Sequence, residues 1–218
     1  TLGINDVEVV GDTRFDRVLD IRNAAKPLPL AERFAGCWKV LVAGSSWPQD
    51  EEIIIPYFNR HPNLKLVLAP HVVSEEHLQA IERQLARPAL RYSKATPKAV
   101  AEVDCLIIDC YGLLSSIYRY ASMAYVGGGF GVGIHNVPEA AVYGVPVIIG
   151  PNNKKFREAQ ALLRCGGCKE IACAADFEQI MDAWLSDKEA LATAGKAAGS
   201  YIADNAGAAD RIFSNTLQ

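Results

Sequence analysis

No stretch of this sequence is long and apolar enough to cross a bilayer as a helix. The longest apolar runs, such as Val145 to Ile149, are strand-sized, against the roughly 20 residues a hydrocarbon core demands. Excess positive charge is also lacking: 22 Lys and Arg against 25 Asp and Glu leave a formal net charge of -3. That balance gives no broad electrostatic reason to hold nucleic acid or anionic lipid, and both are discounted as partners of this chain. The opening "TLGINDVEVVGD" begins with Thr1 and lacks the basic and then apolar layout of a signal peptide, so it reads as a segment of a longer protein. Internal repeats and low-complexity tracts are absent.

Cysteine is sparse for a disulfide scaffold: Cys37, Cys105, Cys110, Cys165, Cys168 and Cys173. A 218-residue chain with 50% hydrophobic residues can build a core without staples. Cys105 and Cys110 flank a strand-like run and are expected in the core. "CGGC" at 165 to 168 has no second CxxC and no nearby His to complete four zinc ligands, and its Gly-Gly predicts a turn. No metal site and no cofactor are assigned.

What is present is a recurring unit. Apolar runs of four to eight residues are each followed by a turn signal and a helix-length amphipathic stretch, which predicts an α/β fold with a Rossmann-like parallel sheet flanked by helices. Strands are expected at 38–44, 64–70, 105–109, 123–127 and 145–150, with short extended pieces near Leu90 and Ile171. Helices are expected near 49–59, 74–85, 113–121, 136–143 and 153–164, and in two stretches from Phe177 to the end. Ser74 and Asp176 are read as N-caps, each a short acceptor before the free amides of a first turn. Residues 1–30, "GDTRFDRVLDIRNAAKPLPL" among them, read as a connector into a domain spanning 31–218.

In parallel α/β sheets ligands bind beyond the carboxyl ends of the strands. Four segments fall there: "GSSWPQDEE" (44–52), "APH" (69–71), "DCYGLLSS" (109–116) and the stretch after "MAYV". From Ala121 to Gly150 that last stretch holds seven of the 17 glycines (127, 128, 129, 131, 133, 144 and 150), and Glu139 is its one formally charged residue. It fits neither standard nucleotide motif: no choice of its glycines gives GxGxxG, and Ile134 stands where a P-loop needs Lys. The general device remains, in which bare backbone approaches an anion and the following helix end offers free amides. Glu139 has two readings. With Asn136 it has the spacing of a capping box, with Pro138 tolerated in the first turn; alternatively its carboxylate accepts hydrogen bonds from sugar hydroxyls. His135 is either a satisfied turn histidine or a ligand contact. Ser45 and Ser46 cap the helix opened by Pro48 or hold a ligand, and Asp50, Glu51 and Glu52 suit the positive helix end either way. Asp109 and Gly112 are turn residues or site residues. Lys154 and Lys155 belong to a solvated helix face, or pair with an anion.

The ordered set "GDTRFDRV", "GSSWPQDEE", "APH", "DCYGLLSSIYRYASMAYVGGGFGVGIHNVPEAAVYGVPVIIGP" and "FREAQAL" closely resembles the C-terminal half of the bacterial 3-deoxy-D-manno-octulosonic acid (Kdo) transferases, from Gly11 to about Leu163. "GGGFG" and "APH" look closest to the Bacteroidetes-type branch. The resemblance implies the C-terminal domain of a GT-B glycosyltransferase, whose C-terminal helix would pack toward an N-terminal domain preceding this chain. It further implies transfer of Kdo from CMP-Kdo to a lipid A precursor in lipopolysaccharide biosynthesis, at the cytoplasmic side of the inner membrane. On that reading Ser45, Ser46, Trp47, Glu51, Pro70 and His71, with Asp109 and Gly112, line the nucleotide site. Gly127, Gly128, Gly129, Phe130 and Gly131, with His135 and Asn136, meet the phosphate or the Kdo carboxylate, and Glu139 takes the ribose. The base, the acceptor surface and any membrane contact are expected in the N-terminal domain, which leaves this chain with no catalytic residue of its own. The sequence departs from the commoner family pattern at Trp47 (usually His), Gln49 (Gly), Val132 (often basic) and Lys155 (often Asn). A GT-B transferase or epimerase using a UDP-sugar, and a non-catalytic binding domain, are the alternative readings.

Overall fold

The computed structural model describes residues 7–216. Its centre is one sheet of seven parallel strands in the order β3-β4-β2-β1-β5-β6-β7. The strands are β1 (Lys39–Ser46), β2 (Leu64–Pro70), β3 (Ala89–Arg91), β4 (Cys105–Ile107), β5 (Met123–Val126), β6 (Val147–Ile149) and β7 (Cys168–Glu170). Every residue of β2, "LKLVLAP", is buried, as a strand covered on both faces requires. Its alternating side chains feed two cores. Leu64, Leu66 and Leu68 join Ile54, Phe58 and Ile81 on one face; Val67 and Ala69 join Val18, Val126 and Ile202 on the other. Each such Leu, Ile, Val or Phe side chain contributes about 1.5–3 kcal/mol of transfer free energy.

The helices are α1 (Thr13–Ala24), α2 (Pro29–Ala35), α3 (Pro48–Arg60), α4 (Glu75–Gln84), α5 (Leu114–Ile117), α6 (Pro138–Ala141), α7 (Arg157–Cys165), α8 (Ala174–Ser186), α9 (Lys188–Asp204) and α10 (Ala208–Thr216). Ser74 caps α4 by accepting from the His77 amide at 3.2 Å. Asp176 is not an N-cap: α8 begins at Ala174, and the Asp176 carboxylate reaches back to the amides of Ala172 and Cys173 at 2.8 and 3.2 Å. "CGGC" turns α7 into β7, with Gly166 left-handed at φ 83°. Cys105 is buried and Cys110 half-buried against the core.

Part of the stretch read as a connector is helix α1. Asp12 caps it by accepting from the Arg14 amide at 2.9 Å, and Phe15 and Val18 enter the core. Arg14 and Arg17 are left on its outer side. The carboxylate of Asp16 holds the start of α10 through the amides of Gly207 and Ala209, so α10 packs on α1. Residues 1–6 of the connector and residues 217–218 lie outside the described residues.

The two ends of the sheet are finished differently. At the amino ends of the strands, Arg87 donates to the carbonyls of Phe58, His61, Leu64 and Pro62 at 2.8–3.1 Å. Its guanidinium lies 4.2 Å from the Phe58 ring centroid. Lys65 donates to the Phe34 carbonyl at 3.1 Å. At the carboxyl ends, the chain leaves β1 toward β2 on one side while β5 occupies the other, and this reversal opens a crevice between the loops after β1 and β5.

Candidate functional site

The loop after β1 is set by an irregularity. The β1–β2 register shifts between Gly44 and Ser46, and Ser45, the one non-glycine residue in the left-handed region among the described residues, has φ 52°. The shift turns Ser46 inward, where its hydroxyl donates to Glu51 at 2.8 Å; the other Glu51 oxygen meets His77 Nε2 at 2.8 Å. Ser46 and Glu51 are 0% and 1% exposed, so in this state they brace the loop from behind and do not line the crevice. Pro70 ends β2, and the His71 amide donates to the Ser46 carbonyl at 2.9 Å.

Asp50, also fully buried, ties the two loops together. One carboxylate oxygen accepts from the Tyr125 hydroxyl at 2.6 Å; the other accepts from the amides of Trp47 and Gly128, each at 2.9 Å. Burial, and then the Asp50 charge, raise the Tyr125 phenol well above its ordinary range, so it stays a donor. The Gly127 amide is likewise engaged, with the Gly44 carbonyl at 2.9 Å. The Gly131 amide donates to the Gly128 carbonyl at 3.1 Å, so three of the four glycine amides expected to meet an anion are committed to the protein. The amides of Gly129 and Phe130 carry no such bond among the described residues.

The glycines answer to backbone contact. Gly128 has φ 92°, and a Cβ there would strike the Gly133 carbonyl. A Cβ on Gly129 would lie 2.5 Å from Gly150 Cα, so the loops after β5 and β6 cross backbone against backbone. Gly131 is exposed, and its carbonyl accepts from the Asn152 side chain at 2.7 Å. Phe130 is half-buried on the core.

Beyond the loop the helix is shorter than expected. α6 is a single turn whose N-cap is Val137 in helical geometry, without a side-chain cap. The start lies one residue late for an Asn136–Glu139 capping box, which does not form. Asn136 instead donates through Nδ2 to Glu139 Oε1 at 2.8 Å, and the second carboxylate oxygen remains for another partner.

Glu139, Asn136 and His135 face α1 across a groove of about 440 Å³, with Arg14 and Arg17 on the far wall. Arg14 is held by Glu158 (3.0 and 3.1 Å) and Asp12 (2.7 Å), and this pairing lowers the Asp12 carboxyl pKa. Arg17, one turn along the same helix face, is exposed and forms no ion pair among the described residues. The groove thus pairs a carboxylate suited to hydroxyls with a cation suited to an anion. Both arginines escaped the sequence reading of the site; their i, i+3 spacing within "TRFDR" was the available signal.

Three rings close the groove on its β1 side. His71 stacks on Trp47 (4.7 Å between centroids, 24°) and on His135 (4.4 Å, 29°), and Trp47 Nε1 donates to His135 Nε2 at 3.3 Å. Burial, then the neighbouring His71, lower the His135 pKa. Asp109 and Gly112 are not brought to this groove. They follow β4, beyond β2 from β1; Asp109 accepts from the amide and hydroxyl of Ser93, and Gly112 (φ 86°) forms an open turn.

No family model matches the sequence. The fold, with a crevice at the strand-order reversal, is that of the C-terminal domain of a GT-B glycosyltransferase. The chain superimposes on the C-terminal CMP-Kdo binding domain of WaaA from Acinetobacter baumannii with a TM-score of 0.67, 20% identity, and coverage of 86% of this chain and 97% of that one. It also matches Anabaena HepE in complex with UDP-glucose (TM-score 0.62, 10% identity, 91% of this chain and 54% of that one). By sequence, the chain is similar to bacterial 3-deoxy-D-manno-octulosonic acid transferases. It is 28% identical over 203 residues to the Rickettsia prowazekii enzyme, covering 87% of this chain and 42% of the relative. It is 34% identical over 137 residues to that of Chlamydophila psittaci, covering 60% and 31%. The chain therefore spans less than half the length of these relatives.

Proposed function

We propose that this chain is the donor-binding domain of a glycosyltransferase that moves Kdo from CMP-Kdo to a lipid A precursor. The carrying observation is the groove at the carboxyl ends of the strands, where Glu139, Asn136 and His135 oppose Arg14 and Arg17. A ribose would place its hydroxyls on the free oxygen of Glu139, and the phosphate or the sugar carboxylate would lie toward Arg17 and the uncommitted amides of Gly129 and Phe130. In the reaction, the acceptor hydroxyl loses its proton to a base outside this chain and its oxygen attacks the anomeric carbon. The bond from that carbon to the phosphate oxygen breaks, and CMP leaves with the electron pair. The contribution of this domain is preorganised electrostatics: donors fixed in place before charge develops on the departing phosphate.

No helix among the described residues is long and apolar enough to cross a membrane. Contact with the inner membrane, at its cytoplasmic face, and with the lipid acceptor is assigned to the protein that carries this domain. The test is calorimetric titration of CMP and UDP into the chain. Binding of CMP at least tenfold tighter than UDP is expected; preference for UDP would replace the donor assignment with a UDP-sugar. Failure of the intact protein to transfer Kdo from CMP-Kdo would overturn the activity.

A further inference from the structure

The three-ring stack carries more than shape. The indole Nε1–H of Trp47 is donor only, so the nitrogen it meets at 3.3 Å, His135 Nε2, must present a lone pair. An imidazole with a lone pair at Nε2 is neutral and carries its proton on Nδ1. The surroundings agree. The ring is half-buried, with His71 stacked on one face, and both effects disfavour a positive charge. Asp50, the nearby carboxylate, is occupied by three donors of its own. The charged groups that share the groove with His135 are Arg14 and Arg17, together with Glu139 and Glu158, whose oxygens hold Asn136 and Arg14. His135 Nδ1 has no hydrogen-bond partner among the described residues, and its side chain lines the groove.

We propose that Trp47 is a positioning residue: its indole N–H locks His135 in the neutral Nδ1–H form, so that His135 meets a ligand oxyanion as an uncharged hydrogen-bond donor. Its role toward a phosphate or carboxylate rests on the nucleotide-sugar reading; the tautomer does not. Two consequences follow. Nε2 is occupied, so His135 cannot take a proton from an acceptor hydroxyl through that nitrogen. An uncharged N–H also holds the departing phosphate without a full ion pair, which favours its release. Trp47 is a departure from the commoner family pattern, and this arrangement gives the departure a chemical purpose.

The test is a long-range proton–nitrogen correlation spectrum of the whole ¹⁵N-labelled chain at pH 7.5. With only four histidines, His135 is assigned by its loss in His135→Asn. The expected result is a neutral Nδ1–H ring; an Nε2–H ring or an imidazolium would overturn the proposal, and this wild-type measurement decides the tautomer whether or not any variant folds. Trp47→Phe keeps an aromatic ring over His71 but removes the donor. It is expected to move His135 away from pure Nδ1–H and to weaken CMP binding about five- to tenfold, the effect of one hydrogen bond. An unchanged tautomer and unchanged affinity in folded Trp47→Phe would overturn the positioning role. A Trp47-dependent Nδ1–H ring in a chain that binds no CMP would support the tautomer lock and remove the nucleotide reading instead.

Discussion

The two ends of the sheet solve opposite problems. In a parallel α/β fold the amino ends of the strands gather helix C-termini and their carbonyls, while the carboxyl ends gather helix N-termini and their amides. At the first end the chain buries cations: Arg87 collects four carbonyls and Lys65 a fifth. At the second it buries anions: Asp50 collects two amides and a phenol, and Glu51 a hydroxyl and an imidazole. The difference lies in what is left over. The Arg87 cluster is closed on itself, whereas the Asp50 cluster secures the loops and leaves the Gly129 and Phe130 amides uncommitted in the loop after β5, with the second Glu139 oxygen and Arg17 uncommitted at the groove. A binding end is one whose own groups are fixed but not all used.

Four changes would break or sharpen that contrast. Asp50→Ala should cost on the order of 4 kcal/mol in denaturant unfolding, because three buried donors lose their acceptor at about 1–3 kcal/mol each, and should abolish nucleotide binding; retained binding would show that the loops hold their positions without it. Gly129→Ala should cost about 3 kcal/mol, since its Cβ meets Gly150 backbone and not a movable side chain. Arg87→Ala should cost about 2 kcal/mol yet leave CMP affinity unaltered in titration calorimetry, and any large loss of affinity would mean that the two ends are coupled. Glu139→Ala should do the reverse, weakening CMP about tenfold, or about 1.4 kcal/mol, with its unfolding midpoint unchanged.

The smallest effect is set by pH. His135 has a folded pKa below its unfolded value, because burial and His71 disfavour the charged ring. As pH falls below about 6.5 the unfolded chain takes up that proton first, so stability is present above this value and is lost on acidification. The unfolding midpoint should decline between about pH 7 and 5, and less steeply in His135→Asn; identical slopes would remove His135 as the source. The carboxylates held low by arginine, among them Glu75 at about 2 beside Arg91, act only at more acid pH.

The strands were legible because both faces of the sheet are covered, which writes them as unbroken apolar runs; Leu64–Pro70 is bounded as the sequence predicts. α1 was less legible, since its residues mix charge with apolar groups and only Phe15 and Val18 are fully buried, with Leu19 half-buried beside them. The glycine stretch and Glu139 marked the groove, but its opposite wall could not be read locally: Arg14 lies 144 residues from its partner Glu158. Likewise Asp50 was legible as a complement to a helix end, whereas its bonds to Tyr125 and Gly128 span 75 and 78 residues, and no spacing rule encodes them. The Asn136–Glu139 spacing was real but had a different meaning, because Val137 adopts helical geometry and moves the helix start past Asn136.

The crossing of Gly129 over Gly150 also constrains how this surface can vary. Every single-nucleotide change in a glycine codon that alters the residue without ending the chain adds at least a Cβ, and at either position that carbon has backbone within 3 Å. Neither glycine can wait for the other to make room, since any lone replacement meets an obstacle that no rotamer clears. Deep mutational scanning should find both positions intolerant of all other amino acids while the neighbouring exposed Val132 accepts many. Diversification of the groove would then proceed through its side-chain rim, with the crossing beneath it held fixed.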